Sequence, residues 1–171
     1  AGRGREPAAT PVKKAALSWN LPVIQVPGFK KVEAVEQMAG FRPEAIVVAA
    51  FGQILPQSIL DIPCHGCINI HPSLLPKYRG PSPVASTILA GDEFAGVSVM
   101  RLDAGMDTGP VFSQAQIPVL PQDTTESLTY RLFQIGAWMV LEVLEELTWG
   151  RLLPEPQDPA LATYTREIER E

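Results

Sequence analysis

Cysteine is scarce in this chain, with only Cys64 and Cys67 among 171 residues. Two thiols are too few for a disulfide framework in a domain of this size, so a reducing, cytoplasmic setting is expected. No apolar stretch approaches the roughly 20 residues that a membrane helix needs, so no membrane association is expected. No charged leader followed by an apolar run opens the sequence, and no secretory signal is read. Ala1 rather than Met stands first, so the natural start is expected upstream. Long charge runs, low-complexity tracts and internal repeats are absent too, which argues against wholesale disorder.

What the chain does have is enough apolar material for one core. Apolar residues make up 46% of it, in a length that suits a single domain. The net charge of −5 argues mildly against a polyanionic partner. The charge is uneven, however. Residues 1–79 carry nine Lys/Arg against five Asp/Glu, or +4, and residues 80–171 carry five against fourteen, or −9. A phosphate-bearing partner is therefore expected at the first half.

Glycine and proline divide the sequence into alternating units. A basic loop over Ala1–Thr10 leads into a helix from Pro11 to about Asn20, and Val23–Val26 reads as a short strand. A helix over Lys30–Ala39 stops at Gly40. Ala45–Phe51 is a continuous apolar run, as in a strand buried on both faces of a parallel sheet. Pro56–Leu60 reads as a short helix, Cys67–Ile70 as a strand, Val84–Ala90 as a helix, and Val97–Leu102 and Val111–Val119 as strands. Asp123 is placed to cap a long helix, with Glu126 in the capping-box position. Leu128, Leu132, Ile135, Met139, Val143 and Leu147 form its apolar stripe, and Gly150 ends it. Residues 151–171, rich in proline and then in charge, read as a linker or tail. Strands alternating with helices predict an α/β sheet with helices on both faces, whose ligands bind at the carboxyl ends of the strands.

Asn69 and His71 fall at such an end. Two residues apart on a strand, they share a face. Asn offers an amide N–H, and His offers a proton or a lone pair near neutral pH. A carboxylate beside the ring would orient it and favour its charged form, and Asp107, in the loop after a later strand, is the best candidate. The three suit acyl transfer, in which an amine attacks a carbonyl and the oxygen turning negative is held by Asn and protonated His. Turn formation is the plainer reading of an Asn and a His at a strand end.

The stretch INIHPSLLPKYRGPSP (Ile68–Pro83), followed by DAGMDTGPV (Asp103–Val111), resembles the formyltransferase family that uses 10-formyltetrahydrofolate. The likeness runs from Ala1 to about Arg166. The family's Asn, His and Asp fall on Asn69, His71 and Asp107 with the separation the family shows. The resemblance implies a Rossmann-like, mostly parallel sheet that lacks the family's first strand-helix-strand unit. It implies a catalytic domain over residues 1–150 and a linker over 151–171 toward a C-terminal barrel domain. The missing first strand should leave an unpaired edge in the sheet. The formyl donor is implied to meet the backbone of Phe51, Gly52, Gln53, Ile54 and Leu55, and that of the Asp103–Asp107 loop, including Gly105. The Ser73, Leu74, Leu75, Pro76 turn is implied to line the same cleft. Gly52 and Gly105 would let the backbone turn sharply and approach a flat ring, although both also suit ordinary turns.

Within the family, AGRGRE followed by TPVKKAAL resembles the basic loop and helix of the members that act on methionyl-tRNA. Arg3 and Arg5 would there reach phosphates or base edges of initiator tRNA. The resemblance thus implies formyl transfer to methionyl-tRNA in translation initiation; a monomer and no metal are expected. Glycinamide ribonucleotide, an amino sugar nucleotide or water are the alternative acceptors, and a non-catalytic folate-binding module is the alternative of another class. Lys77 and Arg79 suit a tRNA phosphate, the glutamate tail of the folate, or plain solvation. Cys64 and Cys67 have C-x-x-C spacing but lead into a strand and have no second pair, so neither a metal nor a redox role is expected. DAGMDTG lacks the sixth-position glycine of a calcium loop and has Gln114 at the twelfth.

Overall fold

The structure is a computed structural model that describes residues 9–29 and 31–168. Its elements run α1 (Pro11–Ser18), α2 (Val32–Gly40), β1 (Ile46–Ala49), α3 (Gln57–Leu60), β2 (Cys67–His71), α4 (Pro83–Ala90), β3 (Phe94–Arg101), β4 (Val111–Pro118) and α5 (Thr125–Thr148), followed by one 3-10 turn at Pro159–Leu161. The four strands form one sheet in the order β1-β2-β3-β4.

The α/β class holds, with helices on both faces. Ile68 and Ile70 of β2 and Ala95, Val97 and Val99 of β3 pack under α4 and α5. Cys67 of β2 joins Ile59 of α3 and Val35 of α2 on the opposite face, with Ile46 and Val48 of β1. The sheet is less parallel than expected. β1 pairs with β2 in parallel, but β2–β3 and β3–β4 are antiparallel. Residues 102–110 join β3 to β4, too short a span for the dozen or more that a parallel crossover needs. β3 also begins beyond the end of β2, since His71 pairs with Ser98 and Ile68 with Arg101. The short α4 therefore need not carry the chain back along the sheet. β1 stands at the edge and pairs only with β2 among the described residues, although its apolar sequence suits an inner strand.

Three local expectations change. Val23–Val26, between Pro22 and Pro27, joins no strand, because among the described residues no strand lies beside it to complete a ladder. α2 starts at Val32, after Lys30, which lies outside the described residues. α5 is capped by Thr124, whose side chain accepts the Ser127 N–H while Ser127 returns the bond, rather than by Asp123 with Glu126. Asp123 instead accepts from the Leu120 N–H at 2.9 Å and from Arg131.

The stripe on α5 is also rotated slightly. Its fully buried line is Leu128, Leu132, Gly136, Val140 and Val143. Gly136 sits where a Cβ would collide with Ile70 Cγ2, so the absence of a side chain lets α5 approach β2 closely. Among the described residues no helix is long and apolar enough to cross a membrane.

Candidate active site

β2 ends at His71 because Pro72 has no N–H to extend the ladder. Ile68 and Ile70 point under α5, so alternation sends Asn69 and His71 to the other face. His71 is only 4% exposed. Its Nε2 lies 2.9 Å from the Tyr78 carbonyl. A carbonyl can only accept, so Nε2 carries a proton and donates. Nδ1 is left to face Asp107, whose Oδ2 is 3.7 Å away.

Asp107 comes to His71 from the loop after β3. Its backbone takes a left-handed φ of 53°. Such a conformation is uncommon outside glycine, though Asp tolerates it better than most. The Gly80 N–H donates to Asp107 Oδ2 at 2.8 Å. Oδ1 accepts no hydrogen bond among the described residues, nor does the Asn69 side chain make one.

Asn69, His71 and Asp107 all line one cleft of about 660 Å³ at the carboxyl ends of β1 and β2. Phe51, Gly52, Gln53, Ile54 and Leu55 form a second wall, and Asp103 and Gly105 a third. Asp103 Oδ1 shapes its loop by accepting the Gly105 N–H at 3.0 Å and the Thr108 hydroxyl at 2.7 Å. A Cβ at Gly105 would strike the Thr108 side chain, whereas one at Gly52 would meet nothing. Gly52 therefore leaves space on the cleft wall rather than relieving a clash inside the chain.

The Ser73–Pro76 turn does not line this cleft. Ser73 and Leu75 are buried, and Ser98 draws the turn toward β3. The Ser98 hydroxyl donates to the Ser73 carbonyl at 2.6 Å and accepts the Leu75 N–H at 3.1 Å. Leu74 sits against Gly96 on a smaller groove, which Lys77 also borders. Arg79 meets neither solvent nor an open anion site. It is 4% exposed, and its guanidinium donates to Gln157 Oε1 at 2.8 and 3.1 Å and to the Tyr164 hydroxyl at 3.1 Å. Arg3 and Arg5 lie outside the described residues.

Sequence reasoning missed the part played by residues 155–165. Thr163 and Thr165 bond the backbone of Pro76 and Arg79, and Gln157 bonds the carbonyls of Asp107 and Gly109. These partners lie tens of residues apart, and no periodicity signals such pairs. Cys67 is buried, and burial pushes its thiol up to about 11 against the opposing pull of Arg101. Cys64 is exposed. Among the described residues no group of three or more His, Cys, Asp or Glu could hold a metal ion.

The formyl transferase family profile matches residues 1–144. A methionyl-tRNA formyltransferase of Dehalococcoides mccartyi is 55% identical over 166 residues, covering 96% of this chain and 52% of its own length. One from Roseiflexus castenholzii is 51% identical over 171 residues, covering all of this chain and 55% of its own length. The chain thus spans about half the length of these relatives. Among solved structures, glycinamide ribonucleotide transformylase 1 of Symbiobacterium toebii superposes with a TM-score of 0.74 at 24% identity, over 85% of this chain and 74% of its own. HypX of Aquifex aeolicus, solved with tetrahydrofolic acid, does so at 0.71 and 23%, over 79% of this chain and 23% of its own. These two likenesses speak for the fold alone. The chain belongs to the formyl transferase family.

Proposed function

We propose that this chain carries the centre that moves a formyl group from 10-formyltetrahydrofolate to the amine of methionyl-tRNA. The observation that carries the reading is the meeting of Asn69, His71 and Asp107 in one cleft, in a chain about half identical to methionyl-tRNA formyltransferases. The donor suits the cleft on chemical grounds. Its walls combine the Phe51–Leu55 loop, open above Gly52, with a few polar groups. That HypX is solved with tetrahydrofolic acid agrees with a folate in this fold.

In this reading the acceptor amine adds to the formyl carbon. A new C–N bond forms, the formyl oxygen takes up negative charge, and the bond to the donor nitrogen then breaks. The Asn69 amide, with no side-chain hydrogen bond among the described residues, donates to that oxygen. His71 is fixed through Nε2, which leaves Nδ1 to carry the second proton to the site. Asp107 Oδ2 is occupied by Gly80, and Oδ1, which accepts no hydrogen bond among the described residues, takes the proton that the amine must lose. The departing donor nitrogen takes a proton in turn, which closes the balance.

The test is formyl transfer by the purified chain, with charged initiator tRNA, glycinamide ribonucleotide and an amino sugar nucleotide offered side by side. Transfer to methionyl-tRNA alone supports the reading. Transfer to another acceptor, or folate binding without turnover, overturns it.

A further inference from the structure

Residues 155–165 form a strap across the two loops that meet at the cleft. At one end Glu155 and Val111 exchange backbone hydrogen bonds, both at 2.8 Å. At the other, Arg79 N–H donates to the Thr163 carbonyl at 2.9 Å, and Thr165 N–H donates to the Arg79 carbonyl at 2.7 Å. The strap passes so close to Gly80 that a Cβ there would come within 3.0 Å of the Thr165 carbonyl. Gly80 is the residue whose N–H holds Asp107 Oδ2.

Gln157 joins both loops through one side chain. Its Oε1 accepts two bonds from Arg79, and its Nε2 donates to the carbonyls of Asp107 at 2.8 Å and Gly109 at 2.6 Å. The amide can sit only one way round, since a guanidinium only donates and a carbonyl only accepts. The two carbonyls flank the turn in which Asp107 holds its left-handed φ of 53°. A non-glycine residue keeps that conformation when its surroundings over-determine it; Gln157 bonds the turn's backbone from outside, as the Gly80 N–H bonds the Asp107 carboxylate.

We propose that Gln157 is a positioning residue for the Asp107–His71 pair, acting through the Asp107 turn. Arg79 serves it in turn: a buried guanidinium orients the Gln157 amide so that its N–H groups point at the turn. The proposal rests on the reading of Asp107 given above, but it goes beyond the three residues of the cleft and gives the Pro-rich tail a share in the chemistry.

Gln157→Glu separates positioning from simple attachment. A carboxylate still accepts from Arg79, so the strap keeps its anchor, but it has no N–H for the Asp107 and Gly109 carbonyls. Gln157→Met, which brings no charge, serves if the first variant does not fold. Amide exchange at Gly80 reports directly on Asp107 Oδ2, and Leu132 in the core reports on global stability. In the full 171-residue chain, Gly80 exchange is expected to quicken about tenfold or more while Leu132 stays unchanged. In the transfer assay kcat is expected to fall about tenfold or more with KM nearly constant. Wild-type protection at Gly80, or an unchanged kcat, overturns the proposal. Absence of turnover in the unaltered chain counts against the proposed function alone, and Gly80 exchange then decides this inference.

Discussion

The two ring nitrogens of His71 answer to different loops: Nε2 donates to the Tyr78 carbonyl at 2.9 Å, and Nδ1 faces Asp107 Oδ2 at 3.7 Å. Tyr78 itself holds a left-handed φ of 59°, as Asp107 does at 53°. A ring gripped in this way cannot swing to choose its proton. Its chemistry is set by which side each loop presents.

In the proposed reaction Asn69 acts through a side chain that holds no part of the fold together. Its side chain makes no hydrogen bond among the described residues, so Asn69→Ala is expected to leave the urea midpoint nearly unchanged. Loss of a single oxyanion donor is expected to lower kcat by roughly 10²–10³-fold. Steady-state transfer kinetics beside urea melts check both. A variant that turns over normally would remove Asn69 from the site.

Ser98 is fully buried and serves three partners: the Ser73 carbonyl, the Leu75 N–H and the Gln114 amide. Ser98→Ala leaves these without their hydroxyl, at an expected cost of about 1–3 kcal/mol. Urea denaturation measures it. A loss near zero would mean that the turn after β2 finds other partners or water.

Much of the fold was legible in the chain itself. The strands β2 and β3, the Pro11 start of α1 and the long α5 stripe all follow from local pattern, which is where propensity and burial agree. Asn69 and His71 were legible as a same-face pair at a strand end, Asp107 as the carboxylate in the loop after a later strand, and the family resemblance tied the three together. What local pattern could not supply is long-range. The antiparallel turn of β3 depends on where it meets β2, and Gly136 in the α5 face depends on Ile70. Arg79 reads as a solvated cation until Gln157 and Tyr164 close over it.

Acid should weaken the start of α5. The Asp123 carboxyl is held below the usual carboxylate range chiefly by the Leu120 N–H, with help from Ser127 and Arg131 and against the effect of burial. A carboxyl depressed in the folded state contributes stability above its unfolded pKa, about 4, and loses it as pH falls below that value. Asp123→Asn should therefore be the less stable protein at neutral pH, with the gap closing as pH drops below about 4. Urea midpoints across that range test the sign, and a gap that does not change with pH would contradict it.

The two thiols should behave differently. Cys64 is exposed, and Cys67 is buried with its thiol pushed up to about 11. Alkylation of the native chain near neutral pH should modify Cys64 quickly and Cys67 only on unfolding. Mass spectrometry of the labelled peptides distinguishes this from equal reaction at both, which would mean that the α3 side of the sheet opens readily.

The most direct test of the central claim is single-turnover formyl transfer to methionyl-tRNA by Asp107→Asn beside the unaltered chain. The amide keeps an oxygen for the Gly80 N–H, so shape and urea midpoint should hold. It cannot take the amine proton, so the rate should fall by roughly 10²–10⁴-fold. Transfer by the variant at the unaltered rate would contradict the account, because Asp107 would then be a loop residue that merely lies beside His71.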